Sequence, residues 1–256
     1  MDLIGFLILG LAAGILSGLF GIGGGIVMVP SLIILFGMDI LDANATSLAA
    51  MLLPVGILGV WAYYKAGMIN VKESLWIAFG LFLGSFIGGE LAINISEDLL
   101  TKLYAGILFY IALSYFDIKS LFKKKQPIID EVKPPIKPIW AFVLMGIGAG
   151  VFAGLFGKGG GIIIVPILIS MFHYSPKAAA ATSLAALQLP VGLPSVLIYA
   201  KEGHLNLIFA ALIAFGILIG AYFGSKLAVR LPSKMFKKVY AVFLIIVAIF
   251  MVYKYV

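Results

Sequence analysis

GLFGIGGGIVMVP, Gly18 to Pro30, returns 136 positions later as GLFGKGGGIIIVP, Gly154 to Pro166. Each copy packs four glycines into five residues, Gly21, Gly23, Gly24 and Gly25 in the first and Gly157, Gly159, Gly160 and Gly161 in the second, a density that ends a helix. After the break an apolar run of about 12 residues reaches Phe36 or Phe172, a rise of about 18 Å against a hydrocarbon core of about 30 Å. Each stretch therefore brings a helix end into the membrane interior. The sequence is not a phosphate loop, because no Ser or Thr follows Lys158 and no strand precedes it.

The match extends outward without gaps. ATSLAA at Ala45 to Ala50 falls on Ala181 to Ala186, LPVG at Leu53 to Gly56 on Leu189 to Gly192, and the pattern YxKxGxxN at Tyr63 to Asn70 on Tyr199 to Asn206. From Gly10 to Ala92, 40 of 83 positions are identical to those 136 later. Shared Gly and Leu would arise from composition, but Pro, Thr-Ser, Lys and Asn in register mark an internal duplication. Each half reads as four apolar segments: A (3–37, 139–173), B (43–64, 179–200), C (74–92, 207–228) and D (100–116, 235–253). The first repeat is placed at 1–116, a charged, proline-rich linker at 117–138 and the second repeat at 139–256. Segment C carries Gly80, Gly84 and Gly88, matched by Gly216, Gly220 and Gly224, a ridge that lets helices approach closely.

Composition sets the class. Of 256 residues 63% are hydrophobic and 11% charged, with a mean hydropathy of +1.17, far from the roughly 25% charge of soluble domains. The expected fold is an all-α, polytopic helical integral membrane protein of two homologous, inverted repeats, each with a Gly-broken helical hairpin. The net charge of +7 is first a topology signal, and nucleic acid is not expected as a partner. The absence of cysteine excludes disulfides and thiolate chemistry.

The basic residues decide how segment A runs. If A crosses once, the linker and the second C–D loop face opposite sides and the basic residues divide about 10 to 7, which is no bias. If A turns back, both share one face with Lys65, Lys72 and Lys177, placing 14 of the 18 basic residues together and leaving Lys102, Lys201 and Lys254 opposite. The positive-inside rule selects the hairpin, inverted halves, both termini outside and the linker in the cytoplasm of a multi-pass cell membrane protein.

The glycine loops are the first candidates for a binding site. The short helix after each break offers unpaired N–H groups and a positive dipole end, which suits an anion; the same glycines could serve close packing alone. Lys158, opposite Ile22 in the other half, is the one Lys or Arg deep in an apolar segment and is expected to neutralise the ligand or to tether neighbouring carbonyls. Segment B adds Asn44, Thr46 and Ser47, then Thr182, Ser183 and Gln188, as hydrogen-bonding groups, with Pro54 and Pro190 expected inside the helices. Tyr63 and Tyr199 read as interfacial anchors. His173 and His204 have no carboxylate or second His at ligand spacing, so no metal, cofactor or catalytic residue is expected.

These motifs together, the duplicated GxxGxGGG loop followed by VP, the ATS segment and LPVG, resemble the sulfite exporter TauE/SafE family of membrane permeases. The resemblance covers essentially the whole chain except the linker. It implies transport of small sulfur-containing or organic anions such as sulfite or sulfonates across the cytoplasmic membrane, and among site residues it carries over only the glycine loops. The expected function is thus a secondary transporter of small anions embedded in the lipid bilayer. An anion channel and a membrane scaffold without transport are the alternatives, and assembly into a homo-oligomer is compatible with all three.

Overall fold

The computed structural model describes residues 3–54, 56–96, 98–100, 102–103, 138–157, 160–232, 235–236 and 239. All regular structure among them is helical: α1 (Leu3–Phe20), α2 (Gly25–Phe36), α3 (Ile40–Ala50), α4 (Ile57–Lys65) and α5 (Val71–Asn94), then α6 (Ile139–Phe156), α7 (Gly161–Ser170), α8 (Pro176–Ala186), α9 (Leu193–Lys201) and α10 (Leu207–Arg230). Four of these, α1, α5, α6 and α10, are long and apolar enough to cross a membrane. Large apolar side chains stay exposed along α5 (Leu75, Phe79, Phe82, Phe86) and α10 (Phe215, Phe223), as lipid-facing surfaces require. Segment D lies almost wholly outside the described residues, and so does the linker apart from Pro138.

Glycines set the pairing and direction of the long helices. A Cβ at Gly10, Gly14 or Gly18 of α1 would fall under 3 Å from the carbonyls of Ile213, Ile217 and Ala221 of α10, and Gly216, Gly220 and Gly224 press in return on Leu7, Leu11 and Ile15. The contacts ascend together, so α1 and α10 run parallel. In the same way Gly80, Gly84 and Gly88 of α5 meet Val143, Ile147 and Val151 of α6, and Gly146, Gly150 and Gly154 of α6 meet Ile77, Leu81 and Ser85. With so little water-driven gain available between helices in lipid, this backbone approach supplies the attraction as dispersion. The ridge expected on segment C is therefore half of an interlock whose other half lies on segment A of the opposite repeat.

Segment A does turn back. Gly24 lies against the carbonyl of Ala13, and the Phe36 ring at the end of α2 stacks 4.1 Å from that of Phe6 near the start of α1. In the second half Gly160 lies against Ala149, and Phe172 sits 4.8 Å from Phe142. Segment B differs from expectation: it is two helices, α3 and α4 or α8 and α9, and Pro54 and Pro190 lie in the breaks between them, not inside a helix. A proline there removes an amide donor and restricts the residue before it.

Cross-links fix the remaining directions. Asp42 at the start of α3 meets His204, just before α10, while Tyr63 near the end of α4 bonds the last turn of α1. The α3–α4 pair thus runs with α1, and α5 and α6 run against it. Helices α1 and α6, which occupy matching places in the two halves, point in opposite directions. The end holding the start of α1 is called the near end below, and the end holding the starts of α5 and α6 the far end.

Candidate functional site

The two broken hairpins bring their tips together at the centre of the molecule. Gly24 (φ 72°) and Gly160 (φ 64°) cap α2 and α7 in left-handed geometry, which a side chain would strain. Gly23, also left-handed, lines a central cavity. Gly21, Gly157 and Gly161 are packing glycines: a Cβ would strike the backbone of Ala180, Asn44 and Gly21–Ile22 respectively. Gly21 (φ 67°) and Gly157 (φ 64°) combine that close packing with left-handed geometry. Gly25 is buried, and Lys158 and Gly159 lie outside the described residues.

Helices α3 and α8 close over the loops from the opposite half. Asn44 donates through Nδ2 to the carbonyl of Leu155 at 3.0 Å, and the Ser183 hydroxyl donates to the carbonyl of Gly21 at 2.7 Å. Asn44, Thr46, Ser47, Thr182 and Ser183 are all 0% exposed. Yet Asn44 Oδ1 and the hydroxyls of Thr46, Ser47 and Thr182 have no partner. A buried polar group without a partner costs about 1–3 kcal/mol, so these side chains are costly to hold where they are.

Gln188 donates to the carbonyl of Leu184 and leaves Oε1 unpaired. It lines the central cavity together with Gly23, Ser17, Ser85, Leu48 and Leu184. The cavity measures about 30 Å³, room for roughly one water. Ser17 and Ser85 were not singled out in the sequence, where isolated serines in apolar helices carry no pattern; Ser85 also bonds the carbonyl of Val191, holding the α8–α9 break.

Two readings of single residues are corrected. Tyr63 and Tyr199 are fully buried, not interfacial: Tyr63 donates to the Gly18 and Leu19 carbonyls at 2.9 and 3.1 Å, and Tyr199 to Gly154 at 2.8 Å. They satisfy carbonyls freed in the buried last turns of α1 and α6. His204 does have a carboxylate, Asp42 at 2.7 Å and 162 residues away, a contact that sequence spacing could not show. No group of three or more His, Cys, Asp or Glu that could hold a metal occurs among the described residues.

Comparison with known proteins shows the family. Residues 6–251 match the family described as sulfite exporter TauE/SafE. The chain belongs to that family. It is 32% identical to a probable membrane transporter protein, MJ0441, of Methanocaldococcus jannaschii, over 91% of this chain and 87% of that one. It is 30% identical to YdhB of Bacillus subtilis, also described as a probable membrane transporter protein, over 90% and 91% of the two chains, and 30% identical to YunE of the same organism over 97% and 95%. No solved structure matches it. As a TauE/SafE protein with four apolar helices of spanning length, the chain is an integral membrane protein and a membrane transporter.

Proposed function

We propose that this TauE/SafE protein is a secondary permease of small anions, of the sulfite and sulfonate class, in the cytoplasmic membrane. The observation that carries the reading is the contact of the two broken hairpins, where Gly161 at the start of α7 packs on Gly21–Ile22 of the other half and both following helices start from left-handed glycines, Gly24 and Gly160. Helix starts of this kind hold anions through N–H groups and dipole, and hydroxyls donate to them. Paired broken helices at matching places in oppositely directed halves are the arrangement of transporters that alternate access around a central site. The opposed directions of α1 and α6 support inverted repeats of 1–116 and 139–256, and the basic residues orient the far end and the 117–138 linker toward the cytoplasm.

A cavity with space for about one water favours a transporter over a channel, since a sulfonate can enter only after the halves part. In this reading Lys158, which follows Gly157 in the sequence, supplies the positive charge. The test is a binding screen of sulfite, sulfate, alkanesulfonates and carboxylates on purified protein, followed by flux in liposomes. One anion class is expected to raise the unfolding temperature, with about 2.7 kcal/mol of stabilisation at a hundredfold excess over Kd, and to exchange faster when present on both sides. If no anion binds or moves, the permease reading is wrong; flux without such acceleration points to a channel.

A further inference from the structure

The two ends of the molecule are built on the same rows of residues but are not chemically alike. At the near end the row Phe209, Ile213, Ile217 of α10 lies on the row Phe6, Gly10, Gly14 of α1. It finishes in three stacked rings, Phe36 on Phe6 at 4.1 Å and Phe6 on Phe209 at 4.3 Å. At the far end the row of α5 that lies on Phe142, Gly146 and Gly150 of α6 reads Glu73, Ile77, Leu81. Phe142 keeps its partner Phe172, but a carboxylate stands where the third ring would be. The residue following the hairpin has changed with it: Met38 at the near end corresponds to Tyr174 at the far end. Tyr174 is 6% exposed, and its hydroxyl and Glu73 Oε2 are both buried with no partner.

We infer that Glu73, with Tyr174 beside the same hairpin, is a proton-binding site that couples closure of the far end to anion transport. A carboxylate against an apolar helix row needs a donor or water; the neutral acid can pack there as Phe209 does. One proton that reaches a Glu73 oxygen from the near-end side while the far end is closed, and leaves to the far-end solution when that end opens, crosses the membrane with the anion. Among the described residues no other charge competes for the position. Helices α6 and α7 carry no charged side chain, and the titratable groups after α7 are His173 and Tyr174. Lys177 of α8 reaches the carbonyl of Val229, Lys72 on the turn of Glu73 is exposed, and on α9 Tyr199 bonds Gly154 and Lys201 lies at the near end. The Glu73 backbone itself is fixed by the Asn70 cap.

The coupling half of this inference rests on the permease reading; the proton site does not. Infrared difference spectra between acidic and alkaline pH should show a carboxylic-acid C=O band in the purified protein that is missing in Glu73→Gln and in Glu73→Phe, which copies the near end and so keeps the packing. Identical spectra in all three overturn the site. In proteoliposomes an inward proton gradient should accelerate uptake of ethanesulfonate, which stays ionised and brings no proton of its own, by up to about tenfold per pH unit for a one-proton linkage. Acceleration that persists in Glu73→Gln overturns the coupling. A titrating Glu73 band in a protein that moves no ethanesulfonate at any pH supports the site and refutes the permease reading.

Discussion

Replacing Gly84 with Ala tests the helix interlock most directly. Its Cβ would stand 2.1 Å from the Ile147 carbonyl oxygen and 2.8 Å from the Val151 nitrogen, where ordinary contact begins at 3.4 Å. Both obstacles are backbone, so no rotamer can relieve them. The α5 and α6 axes must separate by about 1 Å, and a gap of that size removes a quarter to a half of the dispersion energy of each contact across it. Overpacking of this kind costs about 1–3 kcal/mol. Gly148 on α6 is the control, because nothing lies within 4 Å of its added Cβ; Ala there removes the glycine penalty of about 0.8–1 kcal/mol. Gly84→Ala gains that term too, so the two variants should differ by the overpacking alone, about 1–3 kcal/mol, or on the order of 2–12 °C in unfolding temperature for a chain of this size. Thermal unfolding in detergent, followed by the fluorescence of Trp61, Trp76 and Trp140, measures it. Equal melting temperatures for Gly84→Ala and Gly148→Ala would refute the packing argument. Gly220→Ala, which meets Leu11 in the other interlock, should add its cost to that of Gly84→Ala, since the two share no partner.

Other expectations are briefer. Tyr63→Phe removes the donor to Gly18 and Leu19 and should lower stability by about 1–3 kcal/mol, read by the same melting assay; an unchanged melting temperature means water replaces the hydroxyl. Single cysteines at Lys123 and Lys234, in a chain that otherwise has none, should react with an impermeant maleimide from the same side of sealed vesicles, and opposite-side labelling would overturn the inverted topology. Lys158→Ile copies Ile22 and should fold, yet bind the anion at least about tenfold more weakly, about 1.4 kcal/mol; unchanged affinity in isothermal titration would leave Lys158 as a tether.

Much of the backbone course was legible. The hairpin in segment A followed from charge, because only a turn gathers the linker with Lys65, Lys72, Lys177 and the second C–D loop, and contacts such as Phe6 with Phe36 show the turn. The glycine rows on α5 and α10 announced close packing, but not against what. Helix partners across 130 residues or more leave no periodic trace in a single sequence, so the interlock of α1 with α10 was invisible. Segment B misled for a local reason: its apolar run continues through Pro54, and hydropathy does not register a missing amide. Of the polar residues singled out in segment B, Asn44 and Ser183 bond the hairpin ends of the opposite half, at Leu155 and Gly21. Which glycines lie against the other half depends on neighbours from that half, and that information is tertiary. The role of Tyr63 was hidden similarly, since an aromatic near a segment end looks the same whether it faces lipid headgroups or a severed helix.

The exchange of helices between halves also governs how the chain can be made. Helix α1 ends at Phe20 and its partner α10 begins at Leu207, 187 residues later. At about 5–20 residues per second, a ribosome takes roughly 10–40 s to supply that partner. Through that interval the glycine face of α1 has only lipid or the insertion machinery against it, so assembly of the permease is gated by completion of the nascent chain.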